Sequence, residues 1–205
     1  MSGIEARIEY VGQLPVIILD NFYTQDETKL MMQELCYYNS TGALYEPERV
    51  GVAYSEDGKV MKKGKSVFLD PLYADRDFSN ILRVNRKIFL KEITDQLCAE
   101  HDIFKYLQTC NSDNTMISYF ENSDYYEPHH DCACITVLSW LYREPRRFSG
   151  GDLIIENDLK VDCLNNRTIV FPSILKHEVT KIRMDKRDMN QNLGRFCITQ
   201  FTLFQ

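Results

Sequence analysis

Two adjacent histidines stand one residue ahead of an acid in YYEPHHDC, residues 125–132. On an extended strand alternate side chains share a face, so His129 and Asp131 point together while His130 points away. One imidazole and one carboxylate are too few to hold a catalytic metal. The chain has four histidines. His101 falls at the end of a helical stretch, where it suits a C-terminal dipole partner or a solvated residue. His177 remains, just past the strand-like run ending in Phe171 and Pro172. Two strands of a closed sheet would bring His129, Asp131 and His177 onto one inward patch. Two imidazoles and a carboxylate on one face of an octahedral ion leave the opposite positions open, the set that suits non-haem Fe(II) in oxygen-using enzymes. Zinc takes the same ligands, so the ligand count does not name the metal. The bland alternative, a solvated pair of loop histidines, stands beside it.

Elements must exist to position these residues, and the composition allows them. At 205 residues the chain is long enough for one sizeable core, and 11 Phe with 12 Tyr favour strands and aromatic-lined pockets over a helical bundle. A formal charge of -6 argues against a general polyanion binder, and Lys62, Lys63 and Lys65 are too few to reverse that, so no nucleic acid is expected. No apolar run is long enough to span a membrane, and MSGIEARIEYVG does not resemble a secretion signal. Seven cysteines, odd in number and scattered, suit a reduced setting, so a cytoplasmic location is expected. Cys132 and Cys134 form a CxC pair with no matching pair nearby, which makes a thiolate zinc site a poor reading.

Along the chain, LPVIILDNFY (14–23) reads as a buried strand, and Thr24 with Glu27 forms a capping box for the helix that follows. Residues 40–76 lack a steady period and contain STG, SEDG and KKGK, the signature of a long loop or ragged hairpin. A second helix is expected over about 79–100. Beyond residue 112, TMISYF, ITVLSWLY, GDLIIE, RTIVFPS and RFCITQFTLF are short strand-like runs separated by Gly, Pro, Asp and Asn. Strands following helices predict an α+β chain: N-terminal helices packed on the outer face of an antiparallel double-sheet barrel, a double-stranded β-helix of jelly-roll or cupin-like form. The expected organisation is one domain over 1–205, with strand, helices and substrate-side loop in 1–110 and the catalytic barrel core in 111–205.

With these motifs in order, the sequence resembles the Fe(II)/2-oxoglutarate-dependent dioxygenases, in particular their prolyl 4-hydroxylase-like branch. Tyr119 in ISYFENSDYYEPHHD is similar to the family's strand tyrosine ahead of the ligands; His129 follows ten residues later, with Asp131 completing HxD. TVLSWLY followed by FSGGDLIIE resembles the strand leading to a Gly-Gly turn, and VFPSILKHEV carries the distal His177. Arg195 in GRFCIT is similar to the basic residue that holds the far carboxylate of 2-oxoglutarate, and Thr199 matches a hydroxyl that helps it. The resemblance implies Fe(II) held by His129, Asp131 and His177, 2-oxoglutarate as cosubstrate, O2 as co-reactant and ascorbate as reductant. Because Asp131 is retained, it implies hydroxylation, since halogenating relatives have a small residue there.

Two features depart from the family. Arg195 stands eighteen residues after His177, a longer separation than the family shows, so KIRMDKRDMNQNL reads as an inserted charged hairpin turn and Arg183 and Arg187 compete for the anion. Trp140 occupies the place where oxygen-sensing relatives put a tyrosine onto 2-oxoglutarate, leaving the hydroxyl to Tyr119 or Tyr142. Gly150 and Gly151 make a tight turn, and Phe171 and Pro172 shape the barrel wall. Residues 42–75 precede the barrel where relatives carry a substrate-covering loop; Tyr45, Arg49, Tyr54 and Lys62 are the residues there suited to a peptide or small acid, and a solvated loop is the alternative. The leading substrate expectation is a prolyl or similar residue in a peptide or protein, with a free amino acid or other small metabolite second. A non-catalytic metal-binding or interaction barrel and a zinc hydrolase using Glu127 or Glu178 as base complete the alternatives.

Overall fold

The computed structural model describes residues 3–205. Its strands are β1 Glu5–Val11, β2 Leu14–Asp20, β3 Lys62–Lys63, β4 Lys65–Phe68, β5 Ser112–Phe120, β6 Tyr125–His129, β7 Ile135–Leu141, β8 Phe148–Ser149, β9 Leu153–Ile155, β10 Leu159–Val161, β11 Arg167–Pro172, β12 His177–Val179, β13 Arg183–Met184 and β14 Arg195–Leu203. The α-helices are α1 Gln25–Ser40, α2 Asn80–Val84, α3 Lys91–Glu100 and α4 Tyr106–Thr109. A seven-stranded sheet runs β1-β2-β11-β7-β14-β5-β4, a five-stranded sheet runs β10-β9-β12-β6-β3, and β13 pairs with β8. Every strand pair is antiparallel.

The central strands of the larger sheet are apolar on both faces because both are covered. Ile17, Leu19, Val137, Val170, Phe196 and Ile198 pack outward against the helices, meeting Met31 and Leu35 of α1 and Leu97 of α3. Their sequence neighbours Val16, Ile18, Leu138, Ile169, Phe171 and Cys197 face inward, toward Leu153 and Ile155 of the smaller sheet. Each fully buried Leu, Ile or Phe in these layers contributes roughly 1.5–3 kcal/mol. This is the expected double-stranded β-helix with helices on its outer face.

At the start of α1, Thr24 Oγ1 accepts the Glu27 N–H at 3.2 Å and Glu27 Oε2 accepts the Thr24 N–H at 2.7 Å. This capping box is worth about 1 kcal/mol. The helix expected over about 79–100 is broken into α2, a 3-10 turn over Asn85–Phe89, and α3, because Leu90 adopts an extended backbone. His101 caps the next turn rather than serving a helix dipole: its Nδ1 accepts the Ile103 N–H at 3.1 Å.

Residues 40–76 hold more structure than their composition shows. β3 extends the smaller sheet and β4 the larger, so the chain crosses between sheets at Gly64. Gly64 has φ +140°, and a Cβ there would lie 2.8 Å from the Phe120 ring, so only glycine fits the crossing. The barrel expected from residue 111 onward therefore includes four strands from before it. The inserted segment before Arg195 does not form a hairpin of its own. β13 pairs back to β8, Ile182 and Met184 are buried, and Asn192 bonds to Asn39 and Ser40 of α1.

Candidate metal and 2-oxo acid site

Cross-strand pairing brings the ligands together. His177 of β12 lies directly opposite His129 of β6, and Asp131 follows two residues past His129. One ligand atom from each of the three lies within 4.8 Å of the others. His129 Nε2 is 3.6 Å from Asp131 Oδ1, and His177 Nε2 is 3.4 Å from Asp131 Oδ2.

Both imidazoles are oriented the same way. The Nδ1 of His129 bonds to the Glu127 carbonyl and that of His177 to the Leu175 carbonyl, each at 2.9 Å. A carbonyl only accepts, so Nδ1 carries the proton and the Nε2 lone pair is left for a metal. Burial, with His177 beside it, pushes the His129 imidazole down to about 3, which keeps it neutral. Tyr126 stacks on His129 with ring centroids 3.6 Å apart, and Phe171 meets His177 edge-on at 5.0 Å. Asp131 Oδ2 accepts from Thr136 Oγ1 at 2.7 Å, and that hydroxyl sits 2.8 Å from Ser173 Oγ. The donor set, its tautomers and its supporting hydrogen bonds fit a divalent ion with three open positions.

The same cavity contains Arg195, first residue of β14 and fully buried. Its NH1 donates to the Gly151 carbonyl at 2.8 Å, whereas its Nε and NH2 have no protein partner. Gly151 has φ +76°, and a Cβ there would lie 3.1 Å from Arg195 Cδ, so the glycine admits the arginine as well as binding it. That role was not legible in the GG turn itself. The guanidinium sits 4.4 Å over Phe120 and 5.7 Å from the Trp140 ring. Trp140 is fully buried and supports Arg195 from outside the cavity lining. Thr199, four residues along β14, lines the cavity.

Three expectations meet a different arrangement. Tyr119 lies on the helix-facing side of β5, its hydroxyl donating to Glu121 at 2.7 Å and accepting the Gly194 N–H at 3.0 Å; Met116, Ser118 and Phe120 are the cavity residues of that strand. Tyr142 is likewise outside the lining and accepts the Asn165 N–H. Arg183 and Arg187 are exposed, the latter paired with Asp185, so neither competes with Arg195. Of the residues singled out in 42–75, Lys62 enters the cavity, while Arg49 stacks on exposed Tyr45. Glu127 pairs with Lys59 and is not among the residues lining the cavity.

No family model matches this chain, and no curated protein matches it in sequence. Solved structures do match it in shape. A prolyl-4-hydroxylase from Pseudomonas putida superposes with a TM-score of 0.56 at 15% identity, over 93% of this chain and 92% of that one. A viral collagen prolyl hydroxylase from Paramecium Bursaria Chlorella virus-1, solved as a 2OG complex, gives 0.56 at 10% identity over 91% and 94%. The fold is the one these two prolyl hydroxylase structures adopt. IDO from Bacillus thuringiensis superposes with a TM-score of 0.50 at 12% identity, over 91% of this chain and 89% of that one. At such identities the likeness concerns the fold, and the chemistry rests on the residues described above.

A second depression adjoins the site. A groove of about 280 Å³ shares Met116, Tyr126, Asp131 and Phe201 with the cavity and is roofed by residues 51–53. The roof is tied down where the Ala53 N–H donates to the Tyr126 hydroxyl at 3.0 Å. An apolar groove of about 220 Å³ between β2 and α3 lies on the outer face and holds no part of the triad.

Proposed function

We propose that this protein is an Fe(II)- and 2-oxoglutarate-dependent oxygenase that hydroxylates a C–H bond of a prolyl or similar residue in a peptide or protein. The observation that carries the reading is Arg195. A fully buried guanidinium with two unpaired N–H groups, in the same cavity as the triad, is costly without an anion. A carboxylate at that end satisfies both groups through the fork geometry that arginine offers.

The residues divide the work. His129, Asp131 and His177 would hold Fe(II), with Thr136 orienting the carboxylate and two backbone carbonyls orienting the imidazoles. Arg195 would hold the far carboxylate of 2-oxoglutarate, with the Thr199 hydroxyl on the same wall. When bound, these groups with O2 supply the oxidising power for C–H hydroxylation, and succinate and CO2 leave as co-products. Tyr126 and Phe171 pack against the His129 and His177 rings and fix their orientation. The groove beside Asp131 supports a peptide, because Phe68, Tyr126 and Phe201 offer ring faces to an apolar residue such as proline. A small acidic metabolite is the second reading, favoured by Lys62 as a further basic residue in the cavity.

The test is anaerobic addition of Fe(II) and 2-oxoglutarate to the purified protein. A weak visible charge-transfer band, lost in His177→Ala and weakened in Arg195→Ala, is the expected result. Succinate release with peptides and with free amino acids then separates the two substrate classes. No band and no succinate would leave a non-catalytic barrel.

A further inference from the structure

Lys62 is a second buried basic side chain in this cavity. It is 4% exposed, on the edge strand β3 opposite Tyr126, with its neighbour Lys63 turned to solvent. Its Nζ donates to Ser66 Oγ at 2.5 Å and to Ser118 Oγ at 2.8 Å. These serines face each other across β4 and β5, with hydroxyls 2.9 Å apart. An ammonium has three N–H donors, so one remains after the two serines. No carboxylate lies within ion-pairing distance of Lys62 among the described residues. Its Nζ is 5.3 Å from the Phe120 ring, the same ring that Arg195 covers at 4.4 Å, and 5.3 Å from the Tyr126 ring that stacks on His129.

The cavity thus contains two basic side chains, Arg195 and Lys62, and one acid, Asp131, which belongs to the triad. Burial chiefly, and Arg195 in addition, brings Lys62 down to about 7. An apolar side chain of similar volume fills such a place without the cost of desolvating a charge. A lysine held there by two serines is suited to a ligand that brings its own negative charge.

We propose that Lys62 is a second anion-holding residue of the cavity, which together with Arg195 selects a dicarboxylate 2-oxo acid over a monocarboxylate one. This deepens the oxygenase reading and rests on it. Lys62 is a positioning and specificity residue, and its remaining N–H is the donor offered to the ligand.

Binding to the full chain under anaerobic conditions with Fe(II) tests it, without turnover. Lys62→Met is expected to retain wild-type Fe(II) affinity and to bind 2-oxoglutarate roughly ten- to hundredfold more weakly, the worth of one hydrogen bond to a charged group. Its affinity for 2-oxobutyrate should change less, so the preference for the dicarboxylate narrows. The melting temperature of the ligand-free variant should be no lower than that of the wild type, a result opposite to that expected for a residue needed only for structure. Ser66→Ala combined with Ser118→Ala keeps the charge but frees it, and should weaken 2-oxoglutarate binding by a smaller factor; this variant decides the matter if Lys62→Met does not fold. Unchanged affinity and preference in both variants would overturn the proposal, as would an equal loss of affinity for 2-oxoglutarate and 2-oxobutyrate that leaves the preference as it was. Wild-type protein that binds Fe(II) but no 2-oxo acid would overturn the oxygenase reading itself.

Discussion

Two buried arginines open two strands of the larger sheet, β11 and β14, that flank β7, and have opposite surroundings. Arg167, at the start of β11, forms a bidentate pair with Asp20, at 2.5 Å from Nε and 2.7 Å from NH2, and gives NH1 to the Asp162 carbonyl at 2.9 Å. Each of its three nitrogens has a partner. Arg195, at the start of β14, uses one and leaves two. Both positions exclude water, so the difference is one of purpose. A paired cation fastens β2 to β11, whereas the incompletely paired one, beside Gly151 and Trp140, is the residue proposed to hold a carboxylate.

Substitutions should separate these roles. The largest effect is expected at the metal, where His177→Ala should lower Fe(II) affinity by more than about a hundredfold, beyond the range seen for supporting residues, as read by metal titration. Next, Arg195→Met should weaken 2-oxoglutarate roughly a hundredfold by calorimetry while the ligand-free melting temperature holds or rises. If instead that variant melts like a damaged core, the contrast between the arginines collapses. Arg167→Met should do the reverse, costing about 2–3 kcal/mol of stability by denaturant titration and leaving 2-oxoglutarate affinity alone. The Arg167 hydrogen bond chiefly holds Asp20 below the usual carboxylate range. Its stabilisation is therefore present above pH ~4, the unfolded Asp value, and is lost as pH falls through the lowered folded value. Melting curves from pH 7 to pH 3 should show that acid-sensitive component in the wild type and not in Arg167→Met. The smallest change is expected for Thr136→Val, about tenfold in Fe(II) affinity, with Thr136→Ser restoring it.

Apolar period and turn residues marked five of the longer strands and the capped first helix correctly in the sequence, since those signals are local. Of the short strands only β9 was marked, by GDLIIE; β3, β4, β8, β10, β12 and β13 were not legible, because two to four residues carry little period and depend on their partners. β1 was missed for another reason: EARIEYV has few buried residues, and its pairing with β2 holds it. Tyr119 shows the limit most directly. Alternation along β5 states that Ser118 and Phe120 share one face and Tyr119 the other, but not which face meets the cavity.

By itself, the order of residues determined the ligand types, their spacing and the strand-rich second half, because metal preference and strand period are properties of side chains and short segments. Tertiary structure alone decided that His177 lies opposite His129, that the seventeen residues between His177 and Arg195 leave both ends in place, and that Lys62 turns inward. The reason is that sheet pairing joins residues far apart in the chain, and whether a charge is buried depends on what the partner strand brings to it.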